Sequence, residues 1–344
     1  MKLSKAGLAA TIGLICLGIT ACGGSGDASN GGGATTIWKL AFNQTEDHPQ
    51  FKAAEQLGEL LDDATDGRYT IKPYANEQLG SQTQAITNVS DGTIEMIWAS
   101  SGTLENFNQD FIVFNLPYVF DSVEAQEAVL AQPDKLQELY TSLEDSKNMT
   151  VLTGVHAGVR NIYNSVRPIR EPADLNGLKI RVQQSESQVK MIELMGAVAS
   201  PLDTGEIYSA LQTGVLDGSE NNETVFASLK HAEVAKYYSY TRHLLIPDYL
   251  IVSTSALDAM SDEDRQALLN LVPQAQQTAN DLFAEFVTTS IADAEGSAVE
   301  FNDDVDVDAF KENVKPLIDE SVAANDLRQE LYAMVENANE AAAA

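Results

Sequence analysis

Cysteine is almost missing from this chain. Cys16 and Cys22 are the only two in 344 residues, and everything after Cys22 is free of it. The body of the protein therefore has no disulfide, no thiol nucleophile and no cysteine metal site. Positive charge is scarce too. The 21 lysines and arginines face 51 aspartates and glutamates, for a formal net charge of −30. A chain this acidic repels nucleic acid and anionic lipid, which makes both poor candidates for partners. It also repels small anions at long range, so an anion-binding role must rest on a few strongly placed cations. Catalytic motifs are lacking as well. His48, His156, His231 and His243 are scattered, with no His-Glu-x-x-His pair. No G-x-S-x-G elbow, Walker loop or C-x-x-C is found. The acidic run Asp303, Asp304, Asp306 and Asp308 fails as a calcium loop. Counted from Asp304, Ala309 stands where glycine is needed and Lys315 where a bidentate glutamate belongs. No catalysis, metal or cofactor is expected.

What is present begins with Lys2 and Lys5, the apolar run Leu8–Ile19, and the small pair Thr20-Ala21 before Cys22. That order is a secretory signal peptide, and its apolar run is too short to span a bilayer well. Ile19-Thr20-Ala21-Cys22 resembles a bacterial lipobox, which implies that residues 1–21 are removed and Cys22 is lipidated. Residues 22–35, dominated by the Gly/Ser stretch Gly23–Gly33, then read as a flexible tether. An extracytoplasmic, lipid-anchored protein that does not span the membrane is expected.

The length and the 44% hydrophobic content suit two domains with sizeable cores. Ile37–Asn43 predicts a strand, and Pro49 opens a helix on Phe51, Ala54, Leu57 and Leu61 that stops by Gly67. Asn43–His48 thus joins a strand end to a helix N-terminus, where backbone N–H groups can meet a polar ligand. Further strands are predicted at Tyr69–Pro73, Ile94–Ala99 and Thr150–Val155. Helices are predicted at Ser81–Val89 and, interrupted by Pro133, Val123–Leu143. Phe111–Phe120 and Tyr249–Thr254 read as extended, and Phe226–Tyr238 as helix. Ser261, with Asp264 three residues on, caps a helix over Asp262–Val272 that Pro273 kinks and that resumes to Ala294. Helices at Val307–Ala323 and Leu327–Asn337 precede a frayed tail, Ala341–Ala344. Strands alternating with helices predict the α/β class with parallel layers.

Asp174–Asn222 carries the most chemistry. In Gly177-Leu178-Lys179-Ile180-Arg181-Val182 the apolar residues recur at every second position, the period of a strand. Helices are predicted at Glu186–Met195, ended by Gly196, and at Glu206–Thr213, stopped by Gly214. The polar group Ser219-Glu220-Asn221-Asn222 follows. Strand ends in such α/β units line ligand crevices. A guanidinium there offers paired donors that match two carboxylate oxygens, which lysine cannot copy. Taken alone, Arg181 fits a structural ion pair better than a site.

Context reverses that reading. G-L-K-I-R-V, the M-G-A turn, E-I-Y-S-A-L-Q-T-G-V-L-D-G and S-E-N, with Gln78-Leu79-Gly80 upstream, resemble the signature of one family. It is the DctP-type solute-binding proteins of TRAP transporters, extracytoplasmic receptors that hand organic acids to a membrane carrier. The resemblance covers nearly all of residues 36–330. It implies a periplasmic-binding-protein-like fold, two α/β domains around a ligand cleft, with a long bent helix crossing both. The first domain would be 36–157 plus 247–286, the second 158–246 plus 287–330, and 331–344 a C-terminal helix end and tail. The implied partners are a small organic acid and the membrane subunits of a TRAP permease.

The resemblance also implies roles. Arg181 would pair with the ligand carboxylate, and Arg160, in Gly158-Val159-Arg160, would be a second cation. Asn221 would use both donor and acceptor, and Glu220 would steady Arg181. Arg167, Arg170 and Arg242 read as surface arginines. Some positions depart from the family pattern. Gln183 and Asn222 stand where proline is common, His156-Ala157 replaces an aromatic, and Ser100 stands where some sialic-acid binders carry glutamate. These changes suit a ligand with several hydroxyls, and they resemble family members associated with hexuronates. The expected ligand is a hexuronate or other sugar acid, with His48, Glu77, Gln183 and Asn221 placed for its hydroxyls and Asn43 at the strand–helix junction. A C4-dicarboxylate is the alternative, and it needs a second cation. An enzyme acting on sugar acids, anchored by lipid, is the alternative of another class.

Overall fold

The computed structural model describes residues 34–344. The expected signal peptide, Cys22 and all but the end of the tether lie outside the described residues. Along the chain come β1 (Thr36–Ala41), β2 (Tyr69–Tyr74), β3 (Met96–Ser100) and β4 (Met149–His156). β5 (Arg160–Asn164), β6 (Lys179–Val182), β7 (Val198–Pro201), β8 (Gly218–Asn221) and β9 (Tyr237–Leu244) follow. β10 (Pro247–Ser253) and the short β11 (Glu300–Asn302) come last. They make two sheets, each the centre of one lobe, in the orders β2-β1-β3-β10-β4 and β11-β9-β5-β8-β6-β7.

Strand periodicity explains the first sheet. Met96 and Trp98 of β3 face one core while Ile97 and Ala99 face another, and β10 repeats the pattern with Leu250 and Val252 against Tyr249 and Ile251. Strands buried on both faces read as continuous apolar runs, as these two do. The second sheet packs Tyr163, Phe226 and Tyr238 on one face.

The expected parallel layering is corrected. β1 runs parallel to β2 and β3, but β10 is antiparallel to both of its neighbours. In the second sheet β5 is antiparallel to β8 and β9, whereas β6 is parallel to β7 and β8. The reason lies in the connections. β10 re-enters the first sheet directly from β9 through Leu245-Ile246, with no helical crossover of the kind parallel neighbours need. A second passage between sheets, from β4 to β5, uses Ala157-Gly158-Val159, and a third runs from β10 through the helix Asp262–Glu295 to β11. Gly158 has φ +76°, and a Cβ there would meet the Phe283 ring at 2.9 Å, so a side chain is disfavoured twice.

The helix Asp262–Glu295 runs 34 residues, with the Ser261 hydroxyl accepting from Asp264 N at 3.1 Å and Pro273 in its interior. It packs on the Pro49–Ala64 helix and β4 of the first lobe and on the Glu223–Ser228 helix of the second. Gln276 Nε2 donates to Gly154 O of β4 at 2.7 Å, which ties it to the sheet edge.

Three predicted elements change. Phe111–Phe120 is not extended: a 3-10 helix spans Gln109–Asn115, with Phe111, Val113 and Phe114 all fully buried. An apolar run buried all round carries no period to read. The helix expected over Phe226–Tyr238 ends at Ser228, and Tyr237 starts β9. Tyr238 is claimed by a sheet whose partner strand, β5, is remote in sequence. At the C-terminus the helix Asp326–Ala343 continues through nearly all of the expected frayed tail.

Candidate functional site

β8 lies between the two strands that carry the candidate arginines, β5 and β6. Its antiparallel register with β5 sets Asn161 opposite Asn221 and Ile162 opposite Glu220. Arg160 donates from Nε and Nη2 to the two carboxylate oxygens of Glu220, both at 2.6 Å, and from Nη1 to Asn221 Oδ1 at 3.0 Å. Glu220 is fully buried. Burial pushes its carboxyl up, but the Arg160 charge and hydrogen bonds, with His243 Nε2 3.4 Å away, bring it down to about 2.

Arg181 is held differently. It is 2% exposed, and its Nε donates to Leu202 O at 2.8 Å. Among the described residues no carboxylate forms an ion pair with it. Burial, partly offset by Glu220 and reinforced by Arg160, lowers its guanidinium to about 10. The expectation that Glu220 steadies Arg181 is therefore corrected in part: Glu220 forks onto Arg160, the partner its register with β5 supplies, and acts on Arg181 only through its charge.

A polar cavity of ≈ 20 Å³ lies between the lobes, room for about one water. Asn43, Gln82, Ser100 and Asp248 line it from the first lobe, and Arg160, Gln183, Thr204 and Asn221 from the second. An adjoining cavity of ≈ 150 Å³ shares Asn43 and Thr204 and adds Glu77, Gly205, Tyr208 and His231. Of the residues singled out in the sequence, Arg160, Gln183, Asn221 and Asn43 thus meet at one cavity and Glu77 at the next. Arg181 lines neither, but its charge acts on Arg160 and also on Glu77 and His231. His48 is brought to neither cavity. Its Nδ1 accepts from Gln50 N at 3.3 Å, capping the Pro49–Ala64 helix, and its ring packs against Phe42, Phe283 and Phe286. Burial lowers its pKa to about 3, so it is a neutral core group.

Polar bridges cross between the lobes. Ser100 Oγ donates to Gln183 Oε1 at 3.1 Å, and Gly205 N donates to Glu77 Oε2 at 3.2 Å. Burial, with Asp203 nearby, raises the Glu77 carboxyl above its usual range. Glu105 accepts from Ser185 Oγ at 2.6 Å and from Ser187 N at 3.0 Å. Asp248 and Glu105 escaped the sequence reading. The signal for Asp248 was there, a single acid inside the apolar run Leu244–Val252, since an acid surrounded by buried residues must find partners.

Residues 40–325 match the family model described as bacterial extracellular solute-binding protein, family 7, DctP. The chain belongs to the DctP family of TRAP solute-binding proteins. A solute-binding protein of Chromohalobacter salexigens is 32% identical to this receptor over 291 residues, 85% of this chain and 86% of that one. A TRAP periplasmic solute-binding protein from Anaerococcus prevotii, solved with α/β-D-glucuronate bound, superposes with TM-score 0.86 at 35% identity. It covers 89% of the receptor and 99% of its own chain. Another from Sulfitobacter sp. NAS-14.1, with bound β-D-galacturonate, gives TM-score 0.82 at 33% identity, covering 88% and 100%. The receptor is an extracytoplasmic binding protein, not an enzyme. Its two sheets are the two domains of the TRAP receptor fold, and the Asp262–Glu295 helix is the one that crosses both.

Proposed function

We propose that the receptor captures a hexuronate or a closely related sugar acid and delivers it to a TRAP permease. The observation that carries this reading is the contrast between the two arginines. Arg160 is matched by Glu220, while Arg181 keeps a buried charge with no carboxylate partner among the described residues. One uncompensated guanidinium suits one ligand carboxylate, bound through paired donors. Gln183, Asn221, Asn43 and Glu77 supply the amides and the acceptor that sugar hydroxyls require. The hexuronates held by the two structural relatives support the same class. A C4-dicarboxylate needs a second free cation, and the candidate, Arg160, is engaged.

The ≈ 20 Å³ cavity is too small for a uronate, so ligand enters with the lobes apart and is enclosed as they close. The hinge is Ala157-Gly158-Val159 with Leu245-Ile246, and the moving bodies are 36–157 plus 247–286 and 158–246 plus 287–330. Affinity is then set by the ligand's interactions that form only in the closed state. A thermal-shift screen of D-glucuronate, D-galacturonate and succinate tests the reading. A uronate at a hundred times its Kd stabilises by about 2.7 kcal/mol. Stabilisation by succinate alone contradicts it.

The N-terminal sequence supports a lipid anchor at Cys22, with residues 22–35 as its tether. Cys22→Ser then moves the receptor from the membrane to the soluble fraction with ligand affinity unchanged. Membrane retention of the variant contradicts the anchor.

A further inference from the structure

Asp248 is a buried carboxylate in the wall of the ligand cavity that takes no part in the Arg160–Glu220 fork. It lies at the start of β10, opposite Ser100 at the end of β3 and Val155 one residue before the end of β4. Its Oδ2 accepts from Gln50 Nε2 at 2.9 Å, and among the described residues no cation forms an ion pair with it. We propose that Asp248 restricts the receptor to acids with a single carboxylate, accepting a hydroxyl hydrogen bond where a second carboxylate would bring like charge. The inference rests on the sugar-acid reading and adds the residue that sets its selectivity.

The balance of charge around the cavity gives the reason. In the cavity wall Arg160 is cancelled by Glu220 and Asp248 is an added negative group, while Arg181, outside that wall, remains positive. A hexuronate has one carboxylate for Arg181, and its other polar groups are hydroxyls. A hydroxyl donating to Asp248 makes a charge-assisted bond, stronger than a neutral one. The matching diacid instead carries a second carboxylate into a desolvated space without a cation. Burial already pushes the Asp248 carboxyl up against Gln50, Arg160 and Ser100, and an anion beside it adds to that penalty.

Calorimetric titration of wild type and Asp248→Asn with two acid pairs tests this: D-galacturonate with galactarate, and D-erythronate with meso-tartrate. Wild type should prefer the monoacid of a pair by about a hundredfold or more, and Asp248→Asn should weaken the monoacid about tenfold and shrink the preference at least tenfold. Asp248→Ser, titrated in parallel, covers the case in which the asparagine variant does not fold. If only the erythronate pair binds and its preference shrinks, the hexuronate reading fails and the Asp248 inference stands. An unchanged preference in a folded variant overturns the inference, as does a wild type that binds diacid as tightly as monoacid or binds no monoacid.

Discussion

Arg160 and Arg181 are two buried arginines on either side of β8, and their partners set them apart. Which one Glu220 would take was not legible in the sequence, because the choice depends on the pleat and register of β8 against β5. That Arg160, Gln183, Asn221 and Asn43 converge was legible, because strand ends and the junction after a strand mark a cleft in α/β folds. His48 was misjudged for a physical reason: a residue before a helical proline is placed as well to cap as to bind. For Arg181, burial lowers the pKa from its ordinary value to about 10. A base whose folded pKa is depressed costs stability wherever it is charged in both states, and here that cost persists until the pH rises past about 10. Arg181→Met, which keeps most of the volume and drops the charge, should therefore stabilise the unliganded receptor by about 1–3 kcal/mol. Chemical denaturation without ligand checks this, and a loss of stability contradicts it.

Among elements, the strands and helices of strong period were read correctly, from Pro49 as a helix start to the Ser261 cap and the left-handed Gly196 that ends the Glu186–Met195 helix. The ones missed take their conformation from distant partners, as β9 does from β5. The contact between lobes was not legible either, since it joins residues about 70–80 positions apart. It is centred on the short helix Ser101–Leu104 and the start of the Glu186–Met195 helix. Gln188 Nε2 donates to Asn115 Oδ1 at 3.1 Å and to Gln183 Oε1 at 2.9 Å. A Cβ on Gly102 would come within 2.6 Å of Gln188 Nε2 and still closer to Gln183 Oε1. Gly102→Ala should leave each lobe folded but hinder closure, weakening ligand binding about tenfold or more. Titration calorimetry with unaltered circular dichroism checks it; unchanged affinity would show that these side chains yield freely.

At the scale of the whole molecule, all four histidines are buried, and burial lowers each pKa, to about 3 for His48 and His231 and about 4 for His156. Their unfolded value is near 6.5. A histidine kept neutral in the fold contributes stability that is present above that value and is lost as the pH falls below it. Glu77, Glu127, Glu223 and Asp248, whose carboxyls are raised by burial, act in the opposite sense and offset part of that loss. The melting temperature should fall by several degrees from pH 6.5 to 5, at up to about 1.4 kcal/mol per pH unit for each histidine. A flat profile over that window contradicts neutral burial. With a net charge of −30 the receptor repels an organic acid at a distance, so affinity must come from a short-range, directional contact. Arg181→Lys isolates that contact, because it keeps the charge and removes the paired donors. Calorimetric titration of wild type and Arg181→Lys with D-glucuronate or D-galacturonate should show binding weakened by about 2–5 kcal/mol in the variant. Equal affinity would contradict a carboxylate clamp at Arg181 and leave it as a structural arginine.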